Sequence, residues 1–360
     1  MIQSILSHPL PPWLSGNGPD SDVVLSTRVR LARNLAHHQF PWRASLFERT
    51  QVFEETAAAL AACAGCGSYE AVAFGNLDKL QQEFLMEEGL ASRELTSGDG
   101  DRGIVHDRNS RVGVMVNEED HLRLVALDAG LRLRELWAEL DALDDTVGTH
   151  LDYAFDNRAG FLTCRPANAG TGLRVSVLVH LPGLALTRSL DPVLNAASQM
   201  GVATKSFFGE NSSVAGNLFR LSNGAAAGSS ESRLMDNAEA VVQQVIEFER
   251  KARERILADA RLELTDKICR SWGILCQAKL LTVDEFFNLS SALRFGIECN
   301  LFDKCTLADL NRLTLFVLPA HLATCCGKAL TPDEAGEARA ALVQTFFAGN
   351  AQETKLDENG

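Results

Sequence analysis

Two periodicities divide this chain, and they constrain its fold more than any single motif does. Up to Asn223, apolar residues alternate with polar ones in short runs bounded by glycine and charge. From Ser230 onward they recur at helical spacing with few breakers. Residues 22–34, 111–116, 173–181, 202–208 and 217–223 therefore read as strands, and 161–172 as a strand running into a glycine turn. Residues 49–62, 76–88, 130–144 and 191–200 read as helices. Asn76 is the expected cap of the second, and Leu131, Leu133, Leu136, Trp137, Leu140 and Leu143 are core positions of the third. Residues 235–262 form one long helix, and helices broken near Gly273, Thr282, Cys305 and Pro319 continue to about residue 347. The expectation is an α+β fold: an antiparallel-leaning sheet flanked by helices, followed by an all-α C-terminal domain. We place the boundary in the long helix, giving domains 1–255 and 256–350, with 351–360 a flexible tail.

The strand ends carry the chemistry. Residues 111–116 place Val112, Val114 and Val116 on one face and Met115 on the other. They run directly into Asn117, Glu118, Glu119, Asp120, His121, Leu122 and Arg123. Carboxylates and an arginine at a strand terminus can hold a cation and steer an anion, because the strand fixes where each side chain points. On composition alone, a solvated charged turn is the ordinary reading. The first strand becomes basic at Arg28 and Arg30, which share one side about 7 Å apart and suit two oxygens of a polyphosphate. Taken alone, they too read as surface arginines. Gly170 and Gly172 precede Arg174, and such a turn can expose backbone N–H groups to an anion, although most loops of this kind are only turns.

The 360 residues suffice for an enzyme-sized domain and an appendage. A net charge of -13 argues against broad binding to nucleic acid or anionic lipid, so any polyanion must meet a local cluster of arginines. Pro9, Pro11 and Pro12 interrupt an N-terminus that lacks the pattern of a signal peptide. No window has the apolar length of a membrane span, and a soluble, cytoplasmic protein is expected. The nine scattered cysteines read as free thiols. Cys63 and Cys66 have no second pair at zinc-ligand spacing, and no protein metal site is expected.

Together, Glu118, Glu119 and Glu210 with Arg28, Arg30, Arg123, Arg174 and Lys205 make the inventory needed to set a guanidinium group against a nucleoside triphosphate. A free guanidinium has a pKa above about 12 and is a poor nucleophile, so a carboxylate must orient it and accept its proton as the N–P bond forms. No P-loop or dinucleotide fingerprint competes. In order and spacing, Ser26-Thr27-Arg28-Val29-Arg30, the 117–123 segment, Gly170-Thr171-Gly172-Leu173-Arg174 and Gly209-Glu210 resemble the ATP:guanidino phosphotransferase family of creatine and arginine kinases. The early position of the first motif and the helical region from 255 to 350 resemble its bacterial protein-arginine kinase branch.

The resemblance implies that Glu119 is the catalytic carboxylate, that Glu210 also grips the guanidinium, and that Arg28, Arg30, Arg123 and Arg174 hold nucleotide phosphates. Arg123 is thereby placed in the catalytic set as well. ATP contacts are implied along Ser26, Thr27, Arg28, Val29 and Arg30, along Arg174, Val175, Ser176, Val177 and Leu178, and along Lys205, Ser206, Phe207, Phe208, Gly209 and Glu210. The resemblance implies Mg2+ on the phosphates, held by phosphate and water. It also implies arginine-bearing protein substrates, a homodimer formed through the C-terminal domain, and an activator with protease or chaperone machinery as partners.

Four departures stand out. Arg165-Pro166-Ala167-Asn168 occupies the place of the family's Cys-Pro-Thr-Asn, with Cys164 one residue early and so on the other face of a strand. Lys205 replaces an arginine and loses the bidentate fork. Gly89 stands near the place of an adenine-stacking histidine, while residues 102–106 resemble the metabolite kinases. Ala335-Gly336-Glu337-Ala338-Arg339-Ala340 keeps only the second half of a phosphoarginine-binding motif. Two alternatives therefore stand beside a protein-arginine kinase: a small-molecule guanidino kinase and a nucleotide-binding regulator without catalysis.

Overall fold

The computed structural model of the protein describes residues 9–63, 69–107, 109–207, 215–226 and 228–357. The strands are β1 (Val24–Arg33), β2 (Tyr69–Ala73), β3 (Gly103–Asp107), β4 (Val112–Val116), β5 (Leu122–Ala129), β6 (Phe155–Asp156), β7 (Gly160–Phe161), β8 (Leu173–His180), β9 (Val202–Ser206) and β10 (Leu218–Asn223). Eight of them form one sheet in the order β2-β3-β4-β5-β1-β8-β10-β9, and every neighbouring pair is antiparallel. The helices are α1 (Leu46–Ala62), α2 (Lys79–Glu87), α3 (Arg93–Ser97), α4 (Leu133–Gly148), α5 (Pro182–Leu186), α6 (Leu190–Gln199), α7 (Glu231–Asp259), α8 (Arg261–Gln277), α9 (Val283–Glu298), α10 (Leu307–Phe316), α11 (Pro319–Cys326) and α12 (Pro332–Asp357).

Three local expectations are corrected. Asn76 ends a short 3-10 turn, and Asp78 caps α2 instead, because Asp78 and Gln81 satisfy each other's backbone in a capping box. The segment 161–172 is mostly turn: Phe161 belongs to the two-residue ladder β6-β7, and Gly170 adds an isolated bridge. Gly273 does not break the helical region; α8 runs through it, and the chain bends at Ala260 before that helix. A further break falls at Gly327, whose left-handed backbone closes α11, and α12 then continues past Gly349.

Residues directly opposite in an antiparallel ladder share a face. The register Ala32↔Arg123, Arg30↔Arg174, Arg28↔Ser176, Arg220↔Leu178 and Arg220↔Lys205 therefore sets all these cations on one face of the sheet. The alternate positions, Val29, Leu31, Leu124, Val175, Val177, Phe219 and Leu221, fill the opposite face. There they form one buried core with α1, α4 and α7. On the cationic face, Ile104, Met115 and Val125 join Phe74 and Leu95 in a small cluster at one side. At the other side, Leu178 and Leu218 join the core of the C-terminal helices. The arginines lie in the strip between these two apolar margins.

Candidate active site

The turn 117–121 joins β4 to β5. Asn117 takes a positive φ of 56°, which asparagine tolerates better than most residues, and its N–H donates to the His121 carbonyl at 2.9 Å. Its side-chain amide donates to the carbonyls of Arg49 and Asp101 at 2.8 and 2.9 Å. Asp120 is buried and accepts from Asn34 Nδ2 and from the Cys164 N–H, both at 2.7 Å. The His121 N–H donates to Asn34 Oδ1 at 2.9 Å, and His121 Nδ1 accepts from the Leu35 N–H at 3.0 Å. This fixes the tautomer: Nε2 carries the proton and donates to the Gln39 carbonyl at 2.9 Å. Burial pushes the His121 pKa down to about 4, so the ring is neutral. Asp120 and His121 thus tie the turn to the segment after β1.

The two glutamates that this turn presents differ in access. The Glu118 side chain is 0% exposed and accepts from the Ser92 hydroxyl and from Arg123. Glu119 is 19% exposed; one oxygen lies 3.4 Å from Arg123 Nη2, and the other pairs with Arg165. Glu119 is therefore the carboxylate that a guanidinium from solvent can reach, and Glu118 holds Arg123 from beneath. Arg123 bridges both glutamates, so its charge is already compensated. Arg165 is 63% exposed and places its own guanidinium on Glu119.

The strip beyond Arg123 is built differently. Among the described residues, the side chains of Arg28, Arg30 and Arg174 make no hydrogen bond or ion pair, and Arg28 Nε is buried without a partner. Burial, then Arg220 and Arg123, push Arg28 down to about 10. Burial, then Arg123, Arg28 and Arg174, push Arg30 well down. Arg174 is lowered by burial and by Arg123 and Arg165. Crowded, desolvated guanidinium groups that no carboxylate pairs with are suited to a polyphosphate, whose oxygens take paired N–H donors. Among the described residues no group of three or more His, Cys, Asp or Glu is arranged to hold a metal.

The remaining expected contacts divide by face. Ser176 lies opposite Arg28 and faces the strip. The side chains of Val29, Val175 and Val177 turn into the opposite core, as the period of two requires. Leu178 belongs to the apolar margin, and Ser26, its ladder partner, is buried beside it. Thr27 anchors the strand end, donating to the Gly130 carbonyl at 2.6 Å and accepting from the Arg132 N–H at 3.1 Å. Lys205 and Ser206 close β9, and Phe207 packs 6.1 Å from Phe287. Phe208, Gly209 and Glu210 lie outside the described residues, as does Cys66.

Similarity to known proteins accords with this geometry. Residues 51–252 match the family described as ATP:guanido phosphotransferase, C-terminal catalytic domain. The chain belongs to that family. Residues 261–358 match the protein-arginine kinase McsB C-terminal domain. The chain is 37% identical to the protein-arginine kinase of Moorella thermoacetica over 340 residues, 94% of this chain and 97% of that one. It is 36% identical to that of Halalkalibacterium halodurans over 344 residues, 95% and 97% of the two chains. Among solved structures, lombricine kinase superposes with a TM-score of 0.58 at 23% identity, covering 68% of this chain and 72% of that one. The duplicated taurocyamine kinase of Schistosoma mansoni gives 0.58 at 23%, covering 75% and 39%. These two share the fold.

The departures from the family pattern each have a definite place in the fold. Cys164 is a poor reactive thiolate, because burial and the neighbouring Asp120 push its pKa up. Gly89 has a φ of +88°, and a Cβ there would lie 3.1 Å from Leu127 and 3.3 Å from Trp13, so a histidine would be strained. Arg102 donates to the carbonyls of Leu95, Gly100 and Thr96 and shapes its own loop. Arg339 is buried, donating to the carbonyls of Val317 and Leu281 at 2.7 and 2.8 Å. Ser92, Asn34 and the Arg165–Glu119 pair escape sequence reasoning, because their partners are remote in the chain. Arg220 escapes it too, although the alternation in β10 puts it on the cationic face.

Proposed function

We propose that this protein is an ATP-dependent kinase that transfers the γ-phosphoryl group of ATP to arginine side chains of proteins. The reading rests on a reachable carboxylate, Glu119, standing beside a strip of arginines that no carboxylate pairs with. An acceptor guanidinium displaces Arg165 and pairs with Glu119. Glu119 takes a proton from the acceptor nitrogen as the N–P bond forms, the bond from the γ-phosphorus to the ADP oxygen breaks, and the electron pair leaves with ADP. Arg28, Arg30 and Arg174 hold the phosphates in line, and Arg123 fixes Glu119. Glu210 is the second carboxylate gripping the acceptor. A magnesium ion bound with the nucleotide would supply further charge neutralisation.

The protein-arginine kinase relatives and the matching C-terminal domain support a protein acceptor over a free guanidine. We place the catalytic domain at 1–255 and a helical domain, suited to dimerisation, at 256–350. Cytoplasmic work with an activator and protease or chaperone machinery belongs to the same reading. Among the described residues, no helix is long and apolar enough to cross a membrane. The test is incubation with ATP and an unfolded arginine-rich protein, with free arginine in parallel. Acid-labile phosphoarginine should form on the protein and should be lost in Glu119→Gln. Transfer to free arginine alone would replace this reading with a metabolite kinase, and nucleotide binding without any transfer would make the protein a regulator.

A further inference from the structure

Arg220 is a further guanidinium on the cationic face, and it has no assigned task. It stands on β10 directly opposite Leu178 of β8 and Lys205 of β9. Its neighbours Leu178 and Leu218 on that face both belong to the core of the C-terminal helices. Among the described residues its side chain makes no hydrogen bond or ion pair, and its partner is the ring of Phe207, 5.8 Å from the guanidinium carbon. An aromatic face can orient a guanidinium, but it leaves the N–H donors unused.

A partly buried arginine in such surroundings is costly unless an anion answers it. The neighbouring cations raise that cost: Arg220 is the charged group that most depresses Arg28, while burial and Arg174 depress Arg220 itself. Arg28, Arg174 and Arg220 thus share one face of adjacent strands, with Arg220 opposing the charge of Arg28 and Arg174 that of Arg220. A multiply charged anion on that face would offset both couplings.

We infer that Arg220 is a phosphate-binding residue of the nucleotide site, holding phosphates that remain on ADP. The position across the sheet sets which phosphates these are. The acceptor carboxylate Glu119 and its Arg123 lie at the β5 side. Arg220 is three strands away, roughly 14 Å in strand spacing, beyond β1 and β8. A polyphosphate with its γ-phosphorus beside Glu119 extends across Arg28, Arg30 and Arg174 toward Arg220. Arg220 also supplies the bidentate fork that its ladder partner Lys205 does not have.

This inference rests on the ATP-dependent reading above, and calorimetric titration with ATP, ADP and adenosine separates the two. In Arg220→Gln, ATP and ADP should both weaken about tenfold and by the same factor, with adenosine unchanged. KM for ATP should rise with kcat within about twofold of wild type, and Arg220→Lys should recover only part of the affinity. Relief of repulsion should leave the nucleotide-free melting temperature of Arg220→Gln equal to wild type or higher. Wild-type affinity for ATP and ADP in Arg220→Gln would overturn the inference and leave the kinase reading standing. A lower nucleotide-free melting temperature with full affinity restored by lysine would also overturn it, making the residue structural. If wild type binds no nucleotide, the kinase reading fails and takes this inference with it.

Discussion

The acidic turn and the arginine strip touch at Arg123 and are built on opposite principles. In the turn nearly every charge is answered within the protein: Glu118 by Ser92 and Arg123, Asp120 by Asn34 and the Cys164 N–H, Glu119 by Arg123 and Arg165. In the strip, the side chains of Arg28, Arg30 and Arg174 find no hydrogen-bond or ion-pair partner among the described residues. The turn is therefore preorganised, as the proposed proton acceptor would require. The strip gathers like charges that a bound anion would offset. One region should lose chemistry or stability when cut, whereas the other should lose affinity and keep its stability.

The largest effect should follow removal of the proposed proton acceptor. Glu119→Gln keeps the shape and removes the basicity, and phosphoryl transfer measured in single turnover should fall by roughly 10³-fold. A fall in ATP affinity instead would blur the two regions into one.

The turn should also show in stability against pH. Neutral His121 is favoured by folding, with a pKa of about 4 against the ordinary 6.5. Its contribution is full above pH 6.5 and is lost as pH falls toward 4, a span worth about 3 kcal/mol. Chemical denaturation at about pH 7 and about pH 4.5 should show this loss in wild type and a smaller one in His121→Gln. His321 provides a contrast of opposite sign in the C-terminal helices. Burial opposes its charge, but Glu87 and Glu88 bond its two ring nitrogens at 2.6 and 3.0 Å and raise its pKa above the ordinary 6.5. Its contribution is full below pH 6.5 and is lost as pH rises through the raised value.

In the strip, Arg30→Gln should weaken ATP by about tenfold or more, about 2 kcal/mol for a charged hydrogen-bonding group. Its nucleotide-free melting temperature should not fall. The smallest effect belongs to Arg165. An exposed ion pair contributes about 0–1 kcal/mol, so Arg165→Ala should lower the KM for the acceptor by up to about fivefold. Steady-state kinetics on the arginine-rich protein would read this, and an unchanged KM would mean that Arg165 does not compete at Glu119.

Legibility in the sequence follows the same division. Strands such as β1, β8 and β10 are legible because one face of the sheet is apolar, so Val29, Val175 and Leu221 sit in alternating runs. β5 is not, because both of its faces are buried at its start and the alternation disappears. The 161–172 segment misleads because its apolar residues serve turns and an isolated bridge. Glu119 and the strip arginines are legible from motif spacing. Which charges are answered is not, because the partners are remote: Asn34 lies 86 residues from Asp120, and Ser92 lies 26 from Glu118. Along a strand only alternate side chains share a face, so a contiguous motif divides between the strip and the opposite core.

Calorimetric titration of ATP into Glu119→Gln and Arg30→Gln, side by side, separates a turn that does chemistry from a strip that holds phosphate. Glu119→Gln should bind ATP within about twofold of wild type, while Arg30→Gln should bind at least about tenfold more weakly. The reverse order would contradict this separation, because the strip would then not be the polyphosphate site.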